Sequence, residues 1–152
     1  MKKTFAALAA VATLASTAAV AQDFKAPIQA RQGEMRILGM NLGILGGMAK
    51  GEVPYTVEAA SAAANSIVGV TMIHQATLFP AGSDEMGADG TRAKAEIWDK
   101  MDDYMAKWDA LGAAAAEMQT AAATGQEAIG PALGKIGGAC KSCHEAYRAP
   151  QN

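Results

Sequence analysis

Cys140-Lys141-Ser142-Cys143-His144 decides how this chain is read. Two thiols three apart, with a histidine directly after the second, form the attachment pattern of a c-type haem. Each sulfur can make a thioether to one vinyl group, and the adjacent imidazole can reach the iron. On a helix, residues three and four apart are neighbours, and one turn rises about 5.4 Å. Cys140, Cys143 and His144 can therefore address one flat macrocycle. Taken alone, the pentapeptide also admits a redox dithiol, a disulfide or a metal site.

The rest of the chain bears on that choice. Its 152 residues suit one domain, and both of its cysteines fall in the pentapeptide. The chain opens on Met1-Lys2-Lys3, an apolar run from Phe5 to Val20, and Ala19-Val20-Ala21 before Gln22. A basic start, an apolar middle and small residues before a cut describe a secretory signal peptide over residues 1–21. Cleavage is expected near Ala21, giving a periplasmic domain over residues 22–152. In an exported protein a leftover thiol pair is usually oxidised, but a disulfide closing so tight a loop adds little stability. Haem attachment uses both thiols. Formal charge is −2, and loss of Lys2 and Lys3 takes it to −4, which argues against nucleic acid or an anionic membrane as partner. No later segment reaches the roughly 20 apolar residues of a membrane span, so no stable membrane anchor is expected.

Alanine, methionine, leucine, glutamate and lysine are plentiful, and Gly or Pro clusters divide the chain into four helical segments. The first, about 25–50, carries Ile28, Arg31, Met35, Leu38, Leu42, Leu45 and Ala49 at spacings of three and four. The second, about 56–77, is alanine-rich, with Thr56 as its N-cap. An irregular stretch covers 78–90. The third, from Thr91 as cap to about Ala123, has the cleanest seam: Ile97, Met101, Tyr104, Trp108, Leu111, Ala115 and Met118. The fourth, about 126–148, places Ile129, Leu133, Ile136, Cys140, Cys143 and Tyr147 on one stripe, starting at or kinking near Gly130 because of Pro131. The fold class expected is all-α: an antiparallel four-helix bundle with haem c attached to the C-terminal helix and facing the core.

An exported helical chain of this size, with its haem motif on the last helix, resembles the class II c-type cytochromes. That family comprises the cytochromes c′ and their low-spin relatives. The points of contact are Arg31-Gln32-Gly33-Glu34-Met35, Lys50-Gly51-Glu52, Glu96-Ile97-Trp98 and Cys140-Lys141-Ser142-Cys143-His144-Glu145-Ala146-Tyr147-Arg148. The resemblance implies one haem c held by Cys140 and Cys143, with His144 as proximal ligand. It also puts Arg148 near the proximal face, Arg31 and Gln32 near the propionates, and Met35 on the far side of the iron. Arg31 on an inward seam needs an anion, which a propionate or a surface carboxylate could supply.

Met35 then decides the function. If its thioether binds iron, the haem is low-spin and suited to electron transfer, with a raised potential. If it only packs, the haem is five-coordinate and binds NO or CO. A methionine is also an ordinary core filler. The sequence reading favours the first outcome, a periplasmic monohaem electron carrier with His144 and Met35 as axial ligands, serving redox partner proteins. The alternative is the gas-binding, high-spin form. His74 is expected to face solvent, and Trp98 and Trp108 to pack, with Trp98 closer to a haem edge. No general acid/base pair, phosphate loop or nucleophile elbow suggests an enzyme. A monomer and a homodimer both remain open.

Overall fold

The structure is a computed structural model and describes residues 23–151. The expected signal peptide and its cleavage point lie outside the described residues. The described residues form five α-helices: α1 (Lys25–Ala49), α2 (Val57–Thr71), the short α3 (Glu96–Asp99), α4 (Met101–Thr124) and α5 (Gln126–Tyr147). A 3₁₀ turn covers Gln75–Leu78. The four long helices pack in a ring, α1 on α2, α2 on α4, α4 on α5, and α5 back on α1. The start of α1, the start of α4 and the end of α5 line one common cavity, as does Gln75 just past α2. Neighbouring helices therefore run antiparallel, and the expected four-helix bundle is what forms. No helix among the described residues is long and apolar enough to cross a membrane.

Local chemistry sets the ends. The α1 helix stops where Gly51 takes φ +73°, with Gly51 N–H donating to the Met48 carbonyl at 3.0 Å. Left-handed backbone there is cheap only for glycine. Thr56 caps α2 as expected, its Oγ1 accepting from Ala59 N–H at 3.2 Å. The α4 and α5 helices meet at Gly125 alone. Pro131 neither starts nor stops α5, which begins at Gln126 and runs through it.

Four expectations are corrected. The second helix ends at Thr71 rather than near Thr77. Its buried face runs Ala60, Ala63, Ala64, Ile67 and Val70, so one more turn would bury His74. Instead the Trp108 indole N–H takes the Thr71 carbonyl at 3.1 Å. The chain then unwinds, His74 faces solvent and Gln75 turns fully inward. Thr91 does not cap a helix. Residues 91–95 precede α3, and Ala93 forms an antiparallel bridge with Arg148, so this segment is tied to the end of α5. Lys94 N–H donates to the Tyr147 carbonyl at 3.0 Å and Ala149 N–H to the Arg92 carbonyl at 2.9 Å. The third segment also breaks at Lys100, with φ −130° and ψ 41°, dividing α3 from α4.

The fourth correction concerns the α1 seam. Its buried line is Ile28, Arg31, Glu34, Leu38, Asn41, Leu45 and Met48. Glu34, Asn41 and Met48 are buried more deeply than the expected Met35, Leu42 and Ala49, each one residue further on; Leu42 and Ala49 pack half-buried against the larger core, and Met35 lines the cavity. Polar Glu34 and Asn41 hide that line from a search for apolar periodicity. The α4 seam is buried as expected, apart from half-buried Met101.

The apolar core has two parts. The larger fills the middle and far end of the bundle with Leu38, Leu45, Met48, Ile67, Trp108, Met118, Ile129 and Ile136 among others. A smaller aromatic cluster of Phe79, Tyr104 and Tyr147 with Ile97 stands at the near end. Its rings meet edge-on or tilted, Phe79–Tyr104 at 5.0 Å and Tyr104–Tyr147 at 5.6 Å. Both separations suit favourable aromatic pairing.

Candidate functional site

A cavity of about 360 Å³ opens at the near end, beside the aromatic cluster. Ile28, Phe79, Ile97, Tyr104, Trp108 and Tyr147 give it apolar walls. The α1 helix contributes Arg31, Gln32, Glu34, Met35 and Arg36, and α5 contributes Cys143 and His144, with Arg148 just beyond. Six of the seven residues singled out from sequence therefore share one cavity. The seventh, Cys140, lies one turn before Cys143 and packs half-buried against the larger core. Trp98 does not line the cavity; its indole N–H donates to the Phe79 carbonyl at 3.0 Å, which makes it a packing residue. Trp108 does line it.

The helix register explains the gathering. On α1, Ile28, Gln32 and Met35 follow at four and three, and Arg31 lies beside them on the same side. On α5, Cys143 and Tyr147 are one turn apart, with His144 next to Cys143. Burial raises both thiols above their ordinary range. Burial, and then the charges of Arg148 and Arg92, lower the His144 imidazole. A neutral ring keeps a lone pair for a metal.

Arg31 is the most informative group. It is 7 % exposed, yet all of its hydrogen-bond partners are neutral. Nη1 donates to Ser83 Oγ at 3.0 Å, and Nη2 to the Ser83 carbonyl at 2.9 Å and Thr91 Oγ1 at 3.2 Å. Its guanidinium also lies 4.4 Å over the Phe79 ring, a cation–π distance. Burial lowers its pKa, although a guanidinium stays charged in proteins. A cation so placed, at the wall of an apolar cavity, fits a carboxylate-bearing group such as a haem propionate. Gln32 donates to the Gly90 carbonyl at 2.6 Å, which holds the 80–90 loop against α1.

Sequence reasoning missed a second polar group here. Gln75 donates to both Glu34 carboxylate oxygens, at 3.2 and 3.3 Å, and its own Oε1 accepts from the Tyr104 hydroxyl at 3.1 Å. Burial raises the Glu34 carboxyl and the Tyr104 phenol. Nothing in the local sequence marks Gln75, since its position follows from the unwinding after Thr71. Arg36 and Arg92 were missed as well; the pairing of residues 92–94 with 147–149 brings Arg92 in.

Apolar walls, two unbridged thiols, a half-buried neutral imidazole and an unpaired buried guanidinium are together what a covalently held haem requires. A family model described as Cytochrome C′ matches residues 26–148. The chain belongs to the cytochrome c′ family. It is 38% identical over 141 residues to cytochrome c′ of Cereibacter sphaeroides, covering 93% of this chain and 95% of that one. It is 40% identical over 145 residues to cytochrome c-554 of the same organism, with the same coverages. A solved cytochrome c′ from Rhodobacter superposes with a TM-score of 0.80 at 38% identity, covering 86% of this chain and all of that one. The family carries one covalently attached haem c, and the residues gathered here fit it.

Proposed function

We propose that the protein is a periplasmic haem protein that binds small uncharged ligands such as NO or CO. Cys140 and Cys143 would hold the haem by thioethers, His144 would ligate its iron, Arg31 and Gln32 would meet its propionates, and Arg148 would stand near His144. When bound, the haem supplies the redox and ligand-binding chemistry; the chain excludes water, fixes one axial ligand and sets the electrostatics. The observation that carries this reading is the match to the cytochrome c′ family over residues 26–148. Met35 lines the α1 wall of the cavity, where a flexible thioether can yield to an incoming ligand.

This reverses the order of the two outcomes drawn from the sequence. The electron carrier with His144 and Met35 as axial ligands stands as the second reading, favoured by both residues lining one cavity. Absorbance spectra separate the two. A broad high-spin spectrum, shifted when CO is added to the reduced protein and unchanged in Met35→Ala, is expected. Sharp low-spin bands that Met35→Ala converts to high-spin would establish the second reading instead.

The same reading includes a homodimer. Ile37, Met40 and Ile44 expose an apolar line at spacings of three and four along α1. A solved relative 33% identical, with a TM-score of 0.76 and coverage of 85% of this chain, is described as a cytochrome c′ with an unusual ligand-controlled dimer dissociation. Sedimentation at micromolar concentration should give a dimer, and Met40→Lys a monomer.

A further inference from the structure

The chain has four arginines, Arg31, Arg36, Arg92 and Arg148, and all four line the one cavity. None takes part in an ion pair among the described residues. The four pairs present all use lysine: Lys50–Glu52, Lys107–Asp103, Lys135–Glu117 and Lys141–Glu145. The lining holds a single carboxyl group, that of Glu34, which is already engaged with Gln75. Arg31 is buried, whereas Arg36, Arg92 and Arg148 are exposed.

A haem brings two propionates. Set against four guanidinium groups, they and the Glu34 carboxylate offset three charges at most and leave a surplus of positive charge on the rim, in a chain whose formal charge is −2. Like charges left together without counter-charge repel one another, so their convergence calls for an anionic partner. We infer that the arginine rim of the cavity is a docking surface for an acidic partner protein, with Arg36 and Arg92 as its principal contacts. The inference rests on the haem reading above, because the propionates set the charge balance.

The chemistry selects the kind of partner. Guanidinium groups present a planar fork that matches carboxylates in two-point contact. Exposed side chains on a rim do not enclose a small ion; they meet a surface. Opposed charge speeds encounter and orients the partner more than it tightens the complex. Such an arrangement suits brief electron exchange at the open end of the bundle.

Poly-L-glutamate serves as a redox-inert acidic probe of the isotopically labelled haem-loaded protein. At low ionic strength, amide shifts should concentrate around residues 36, 90–94 and 146–149. Calorimetry should show the double variant Arg36→Ala/Arg92→Ala binding about tenfold more weakly. The difference should vanish near 1 M salt, where the screening length is about 3 Å. Double replacement by lysine, which keeps the charges, should retain most of the affinity, and both variants should keep the covalently attached haem and the parent's unfolding midpoint. Shifts on another face, equal binding of poly-L-lysine, or displacement of the polymer by stoichiometric inorganic phosphate would each overturn the inference, the last by revealing a small-anion pocket. Loss of the haem reading registers separately, as an absent Soret band.

Discussion

The two ends of this bundle are built from different materials. At the far end Leu45, Met48, Ala60, Ala115, Met118, Ala122 and Ile129 interdigitate with almost no solvent access. At the near end the buried groups include Arg31, Glu34, Gln75 and Ser83, woven into hydrogen bonds around a cavity. Burial of an apolar side chain contributes roughly 1.5–3 kcal/mol, whereas buried polar groups do little more than break even when satisfied. The far end therefore supplies the stability on which the near end depends. A site that must accept a macrocycle cannot also be the best-packed part of the molecule.

Substitutions that strike one end and spare the other sharpen this contrast. The largest effect is expected at the far end. Ile129→Ala removes a fully buried side chain at the start of α5 and should cost about 2–5 kcal/mol in urea unfolding, while the haem spectrum stays the same. A changed spectrum would mean that the ends are coupled. At the near end, Arg31→Met should cost less, about 1–3 kcal/mol, chiefly through the Ser83 carbonyl left without its donor. Loss of a buried cation beside the cavity should also lower the reduction potential, measured by spectroelectrochemistry.

The smallest effect concerns pH. Burial raises the Glu34 carboxyl above its ordinary value of 4.5, so between the two values the folded state keeps a proton that the unfolded chain has released. The stability contributed by this group is therefore complete below the unfolded value. It declines as pH rises through the folded one. Glu34→Gln should remove that decline, leaving a flatter profile of urea midpoint against pH and a relative gain at neutral pH. A profile as steep as the parent's would assign the dependence to another group.

The same contrast governs what was legible in the sequence. The seams of α4 and α5 announce themselves because their buried positions, from Ile97 to Met118 and from Ile129 to Tyr147, are mostly apolar and regularly spaced. Cys140, Cys143 and His144 are read from a covalent motif that needs no tertiary knowledge. The α1 seam was misplaced by one position because Glu34 and Asn41 are buried, and a polar residue inside a helix bundle carries no periodic signal of its own. Gln75, Ser83 and Arg92 reach the site only through the connection between α2 and α4. Their contacts depend on where α2 unwinds and where residues 92–94 pair with the end of α5. The register Arg31, Glu34, Leu38, Asn41, Leu45 and Met48 was available as a second three-and-four pattern, but hydrophobicity alone ranks it below the first.

The pairing of Ala93 with Arg148 has a consequence for how the molecule assembles. The α4 and α5 helices, joined by one residue, can form a local hairpin early, at little cost in chain entropy. The near end closes only when Arg31 finds Ser83 and Thr91, 52 and 60 residues away, and when residues 92–94 find 147–149. Contacts of such sequence separation are the slow ones. In a kinetic analysis of folding, truncations in the α4–α5 hairpin should slow refolding, and changes at Arg31 or Ser83 should mainly speed unfolding. The end that holds the haem is thus the last to close and the first to open.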